Sequence, residues 1–126
     1  MTDMDEPINN SISTSRAPAL DPETLDQLLN MGGEELRAAL CTQLIEDFRR
    51  LRLAVEDDDG NAVARAAHEV KGLAATVGAS RLSEMARSLD SVAGNLSAPA
   101  RSVMVSALQG QIDGVLDALT DAAKAS

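Results

Sequence analysis

Apolar side chains in this 126-residue chain recur at intervals of three and four, and no stretch shows the strict alternation of a half-buried strand. Such spacing lines one face of a helix, so each ordered stretch is expected to be an amphipathic helix with one stripe to bury. Short breaks rich in Gly, Asp, Asn and Pro divide the pattern into five stretches. The first opens at "LDPETLDQLLN", with Asp21 as N-cap, Pro22 at the first helical position and Glu23 in the first turn. It ends at Met31-Gly32-Gly33. A longer helix is expected from about Glu34 to Asp57, its stripe formed by Leu36, Leu40, Leu44, Phe48, Leu51 and Val55.

After "EDDDGN", which offers Asp58 or Asp59 as a cap, a third helix is expected over about Asn61 to Val77, ended by Gly78 in a left-handed conformation. A fourth spans roughly Ser80 to Ala93, with Leu82, Met85, Leu89 and Val92 on one side. Ser97 caps the last, about Ala98 to Ala123, which carries Met104, Leu108, Ile112, Val115 and Leu119. Gly110 and Gly114 lie inside that helix and weaken it locally. Short connections force neighbouring helices to run antiparallel. The expected fold is all-α: an antiparallel up-and-down four-helix bundle with a short extra N-terminal helix as a lid. Residues 1–18, polar and without periodicity, are expected to form a flexible tail, and 19–126 a single bundle domain.

Composition narrows the function classes. Phe48 is the only aromatic, so the core must be aliphatic. A net charge of −9 repels phosphate backbones and anionic lipid headgroups, and no exposed aromatics are expected to stack on bases, so neither nucleic acid nor membrane is expected as a partner. Cys41 stands alone and supports neither a disulfide nor a cysteine metal site. With an acidic, polar N-terminus and no apolar run longer than "AALC", the protein is expected in the cytoplasm, as a monomer.

The single histidine, His68, sits in "AHEVKGLAATVGA". With Val63 as zero and about 100° per residue, Ala66, Ala67, Val70, Ala74 and Val77 fall within about 40° of it and define the buried stripe. His68 lies near 140°, outside the core. Around it fall Lys71 at about 80°, Ala64 at about 100°, Ala75 at about 120° and Gly72 at about 180°. Three of these four side chains are very small. Exposed helix positions ordinarily favour Glu, Lys, Gln and Arg, and a mid-helix glycine costs about 1 kcal/mol relative to alanine. A surface kept that clear suits the approach of a rigid partner, with the Lys71 ammonium placed to hold an anion beside the ring.

The chemistry open to one exposed imidazole is limited. "HEVKG" matches only the start of the H-E-x-x-H zinc motif: Gly72 takes the fifth place and no second histidine exists. No oxyanion hole for a Ser-His-Asp triad is indicated. Covalent catalysis by the ring nitrogen survives, because neutral imidazole predominates at pH 7 and carries a nucleophilic lone pair. A phosphoryl group on that nitrogen would be favoured by a lysine one turn away.

"AHEVKGLAATVGASRL" resembles the signature of the histidine-containing phosphotransfer (HPt) domains: His, two residues, Lys-Gly, five residues, Gly, and an apolar residue a few positions on. Here these are His68, Lys71, Gly72, Gly78 and Leu82. The resemblance extends over about Ala19 to Leu119. It implies that His68 is the phospho-acceptor, that Lys71 stabilises the phosphoryl group, that Gly72, with Ala64 and Ala75, leaves room for a docking partner, and that Gly78 ends the histidine helix. It further implies a phosphocarrier without kinase or ATP site. Such a carrier accepts phosphate from a receiver-domain aspartate, for instance that of a hybrid histidine kinase, and passes it to another response regulator. The Mg²⁺ would belong to the receiver, and the carrier itself would hold no cofactor or metal. Leu73 stands where the family often has a small residue, and is expected to rim the core. Glu69 adds a charge next to His68 but points about 100° away. The resemblance leaves room for a docking module that sequesters receivers without carrying phosphate; retention of both His68 and Lys71 favours the carrier. Ile45, off the main stripe of its helix, is either a partner contact or a singly exposed apolar residue. Arg49, Arg50 and Arg52 read as solvated helix surface.

Overall fold

The computed structural model describes residues 19–124; the tail expected over residues 1–18 lies outside them. Among the described residues there are five α-helices and no strand: α1 (Pro22–Leu29), α2 (Glu34–Ala54), α3 (Gly60–Thr76), α4 (Ser80–Val92) and α5 (Ala98–Lys124), with a 3-10 turn, Ala93–Asn95, ahead of α5. The fold is all-α, with α2 to α5 packed in a ring in chain order and α5 closing against α2. α1 packs on α2.

Local chemistry sets the helix limits. The Asp21 carboxylate accepts from the Glu23 amide at 3.1 Å and the Thr24 hydroxyl at 2.9 Å, which caps α1. Asp59, rather than Asp58, caps α3, accepting from the Asn61 amide at 3.0 Å. Ser97 Oγ accepts from the Ala100 amide at the start of α5. α2 stops at Ala54, short of the expected Asp57. There the Asp57 carboxylate accepts from the Asp59 amide at 2.8 Å, a local turn that competes with further helix.

The α3–α4 turn is short, running from Val77 to Ala79 between the two helices. The Ala79 amide donates to the Ala74 carbonyl at 2.8 Å and the Gly78 amide to the Ala75 carbonyl at 3.2 Å, the paired bonds of a Schellman C-cap. Gly78 has φ +78°, and a Cβ there would lie 2.8 Å from Thr24 Cβ. Its carbonyl accepts from the Asp21 amide at 2.9 Å, which ties the entry of α1 to the turn that ends the histidine helix.

Leu25, Leu29, Cys41, Leu44, Phe48, Leu51, Val55 and the stripes of α3 to α5 form one aliphatic core. Within α2 the expected stripe needs correction at its start: Leu36 is 46 % exposed, Leu40 half-buried, and Cys41 fully buried. Steps of four residues drift by about 40° each, so Leu36 has swung about 120° from the direction of Phe48. In α4 and α5, Ala86 and Val105 are buried where Met85 and Met104 only border the core. Ile45 is half-buried against the core rather than fully exposed.

Within the basic cluster of α2, Arg50 and Arg52 are engaged rather than merely solvated, while Arg49 is exposed as expected. The Arg52 guanidinium donates to both carboxylate oxygens of Asp113 on α5, at 2.7 and 3.1 Å. Asp113 accordingly raises the Arg52 pKa above its ordinary value. Gln109 Nε2 donates to the Arg52 carbonyl at 2.8 Å and to Glu56 at 2.7 Å, so the end of α2 is pinned to α5 at several points. Arg50 pairs with Glu69 of α3 at 3.6 Å.

Candidate functional site

α3 places the histidine by burying its opposite face. Val63, Ala67, Val70, Ala74 and Val77 are 0 % exposed and Ala66 6 %, the stripe that helical phase requires. With that face committed to the core, the His68 side chain stands 66 % exposed.

It does not stand alone. α3 and α4 run antiparallel from the Gly78 turn, and His68 and Asp90 are equidistant in sequence from Ala79, which brings them level across the hairpin. His68 Nδ1 lies 3.0 Å from Asp90 Oδ2, and the Asp90 side chain is 29 % exposed. An ionised carboxylate only accepts, so it selects the tautomer in which Nδ1 carries the proton and Nε2 the lone pair. Nε2, on the far side of the ring, has no partner among the described residues. The hairpin is also fixed one turn along, where Ser83 Oγ donates to the Lys71 carbonyl at 3.1 Å.

Lys71 lies one turn C-terminal of His68, half-buried, its ammonium without a hydrogen bond or ion pair among the described residues. Helical side chains lean towards the N-terminus, which carries a lysine at this position back towards the imidazole. Gly72 and Ala75 are exposed and Ala64 is half-buried. Among the described residues a Cβ on Gly72 would meet no atom within 4 Å, so packing against them does not call for a glycine there. Leu73 borders the core as expected, and Glu69 is drawn towards α2 by Arg50.

Ala64, Arg65, His68, Glu69 and Asp90 line a shallow open hollow beside the ring. Of these, Asp90 escapes a reading confined to one helix, and Arg65 is passed over by it. Asp90 has a signal in the sequence all the same, its equal offset from the α3–α4 turn. Arg65 sits one turn before His68 on the same helix, legible by spacing alone. Among the described residues no three His, Cys, Asp or Glu side chains are gathered to hold a metal ion, and no helix is long and apolar enough to cross a membrane.

The arrangement offers a solvent-facing nucleophilic nitrogen, a carboxylate behind the ring and, one turn away, an ammonium with no partner among the described residues. The model of the Hpt domain family matches residues 35–124. No curated protein and no solved structure matches the chain.

Proposed function

The chain belongs to the Hpt domain family, whose work is histidine phosphotransfer in phosphorelay signalling, and on that premise we propose that it is a phosphocarrier that takes a phosphoryl group onto His68 Nε2 from the aspartate of one receiver domain and delivers it to another. The observation that carries this reading is the exposed ring held through Nδ1 by Asp90.

Transfer is a single displacement at phosphorus. The Nε2 lone pair attacks, the N–P bond forms, and the P–O bond to the receiver aspartate breaks, returning that aspartate as a free carboxylate. Because Nδ1 keeps its proton, the ring becomes formally cationic, and the Asp90 carboxylate faces that charge at hydrogen-bond distance. The same cationic ring is a good leaving group for the return step, so one contact serves uptake and delivery. Lys71 is placed to pair with the phosphoryl oxygens, and the open surface over Gly72 and Ala75 gives the receiver access. Charge neutralisation at the aspartyl phosphate is assigned to the receiver's Mg²⁺.

The test is to mix the protein with a phosphorylated receiver domain and Mg²⁺ and follow labelled phosphate. Acid-labile, base-stable label that is lost in His68→Gln supports the reading; label that persists in that variant overturns it.

A further inference from the structure

Charge around His68 runs against the charge of the molecule. The chain has eleven basic and twenty acidic residues. Several of the cations are spent on structure: Arg50 on Glu69, Arg52 on Asp113, Arg101 on the carbonyls of Leu96 and Asp58. The side chains of Arg65, Lys71 and Arg87 make no hydrogen bond or ion pair among the described residues, and the register of the hairpin sets all three about the imidazole.

The hairpin geometry places them. Arg65 lies one turn before His68 on α3 and lines the same hollow. Lys71 lies one turn after it. Arg87 lies one turn before Asp90 on α4, and because α3 and α4 are antiparallel, that step leads towards Lys71 and away from Arg65. Arg65 and Arg87 are exposed. Cations thus stand on both sides of the ring along the hairpin. Of the carboxylates around the ring, Glu69 is committed to Arg50 and Asp90 to His68 itself; Glu84, one turn before Arg87 on α4, lies farther towards the Gly78 turn. Elsewhere acid dominates, most densely at Glu56 to Asp59, at the end of the bundle away from the Gly78 turn.

From this we propose that Arg65 and Arg87, with Lys71, form a basic collar that steers an acidic partner surface onto His68. The inference rests on the phosphocarrier reading, because a receiver's phosphorylatable aspartate, with the carboxylates that hold its metal, is such a surface. Its physical role is distinct from the chemistry. A local positive field in a protein of net charge −9 orients the encounter, so that an acidic pocket finds the histidine face rather than being repelled by the rest of the molecule. Long-range steering acts on the association rate and is screened by salt, with a Debye length of about 10 Å at 0.1 M.

The experiment measures phosphotransfer from a phosphorylated receiver domain to wild type and to the double variant Arg65→Glu/Arg87→Glu, over a range of receiver concentrations, at about 0.03 M and about 0.5 M ionic strength. Expected at low salt is a fall of about tenfold or more in the second-order constant, shrinking to less than about threefold at high salt, with the saturating first-order rate within about twofold of wild type. The neutral pair Arg65→Gln/Arg87→Gln is expected in between. An unchanged second-order constant overturns the collar, as does an equal loss at both salts or a loss confined to the saturating rate. Failure of the carrier reading looks different: wild type itself then takes no label on His68.

Discussion

His68 Nδ1 and Asp90 Oδ2 stand 3.0 Å apart, on two helices joined by the Gly78 turn. The contact makes α4 part of the reactive group, since without it the imidazole is free to rotate and to exchange tautomers. A hydrogen bond to an ionised acceptor is roughly twice as strong as its neutral counterpart, and on the proposed phosphocarrier mechanism the bond to Asp90 would gain further as the ring turns cationic in the transition state.

Replacing the charge while keeping the shape isolates that effect. Asp90→Asn is expected to lower the transfer rate about tenfold, which corresponds to about 1.4 kcal/mol of transition-state stabilisation, and Asp90→Ala to lower it further. Thermal stability should hardly move, because His68 is largely exposed. Rapid-quench transfer kinetics checks the rate, and ¹⁵N shifts of the ring report the tautomer. An Asn variant that transfers at the wild-type rate removes Asp90 from the mechanism.

Most of the site's outline was readable from α3 alone, and the reason is geometric. Six apolar positions fix the rotation of the helix, and once they are buried the direction of His68 follows. Asp90 belongs to another helix, so its distance to His68 depends on the register of a helical hairpin, which the periodicity of either helix does not contain. That register is set by the Schellman cap at Gly78 and by Ser83 on the Lys71 carbonyl. The fold class was legible for the same reason as the α3 face, while the details of α2 were not. Leu36 fits a spacing rule over each single step, but the accumulated rotation takes it out of the core. The partners of Arg50 and Arg52 lie on α3 and α5, beyond the reach of any pattern within α2.

Gly78 answers to two constraints at once. Its φ of +78° costs a side-chain-bearing residue about 1–2 kcal/mol, and an added Cβ would press on Thr24 Cβ at 2.8 Å. Gly78→Ala is therefore expected to destabilise by about 2–3 kcal/mol, with a lower denaturant midpoint and an unchanged slope in a urea titration. A midpoint equal to that of the wild type contradicts the role assigned to this turn.

Cys41 reports on opening of the core. It is fully buried, and burial pushes its thiol pKa up, with the charge of Arg37 opposing more weakly. The folded chain then holds the thiol proton more tightly than the unfolded chain does. Its contribution to stability is complete below the unfolded thiol pKa of about 8.5 and is lost as pH rises from there through the raised folded value. At pH 8, a disulfide reagent such as Ellman's is expected to label Cys41 at least about a hundredfold more slowly than free cysteine, because the thiolate is accessible only when α2 opens. Urea should restore fast labelling. Rapid labelling in native buffer contradicts the burial of this position.

Gly72 separates stability from function, because the two are expected to move in opposite directions. It lies within α3, about one turn from its C-terminal end, is exposed, and has nothing among the described residues within 4 Å of where a Cβ would be. Helix propensity alone then predicts that Gly72→Ala stabilises the protein by about 0.5–1 kcal/mol, read as a rise in melting temperature of a few degrees for a domain of this size. If the cleared surface exists for a docking receiver, the same methyl group meets the partner instead. Transfer from a phosphorylated receiver should fall several-fold, and Gly72→Leu should cut it far more than Gly72→Ala at similar fold stability. A Gly72→Leu variant that transfers as fast as wild type would show that no receiver approaches over this face, and would move the docking surface away from the C-terminal side of His68.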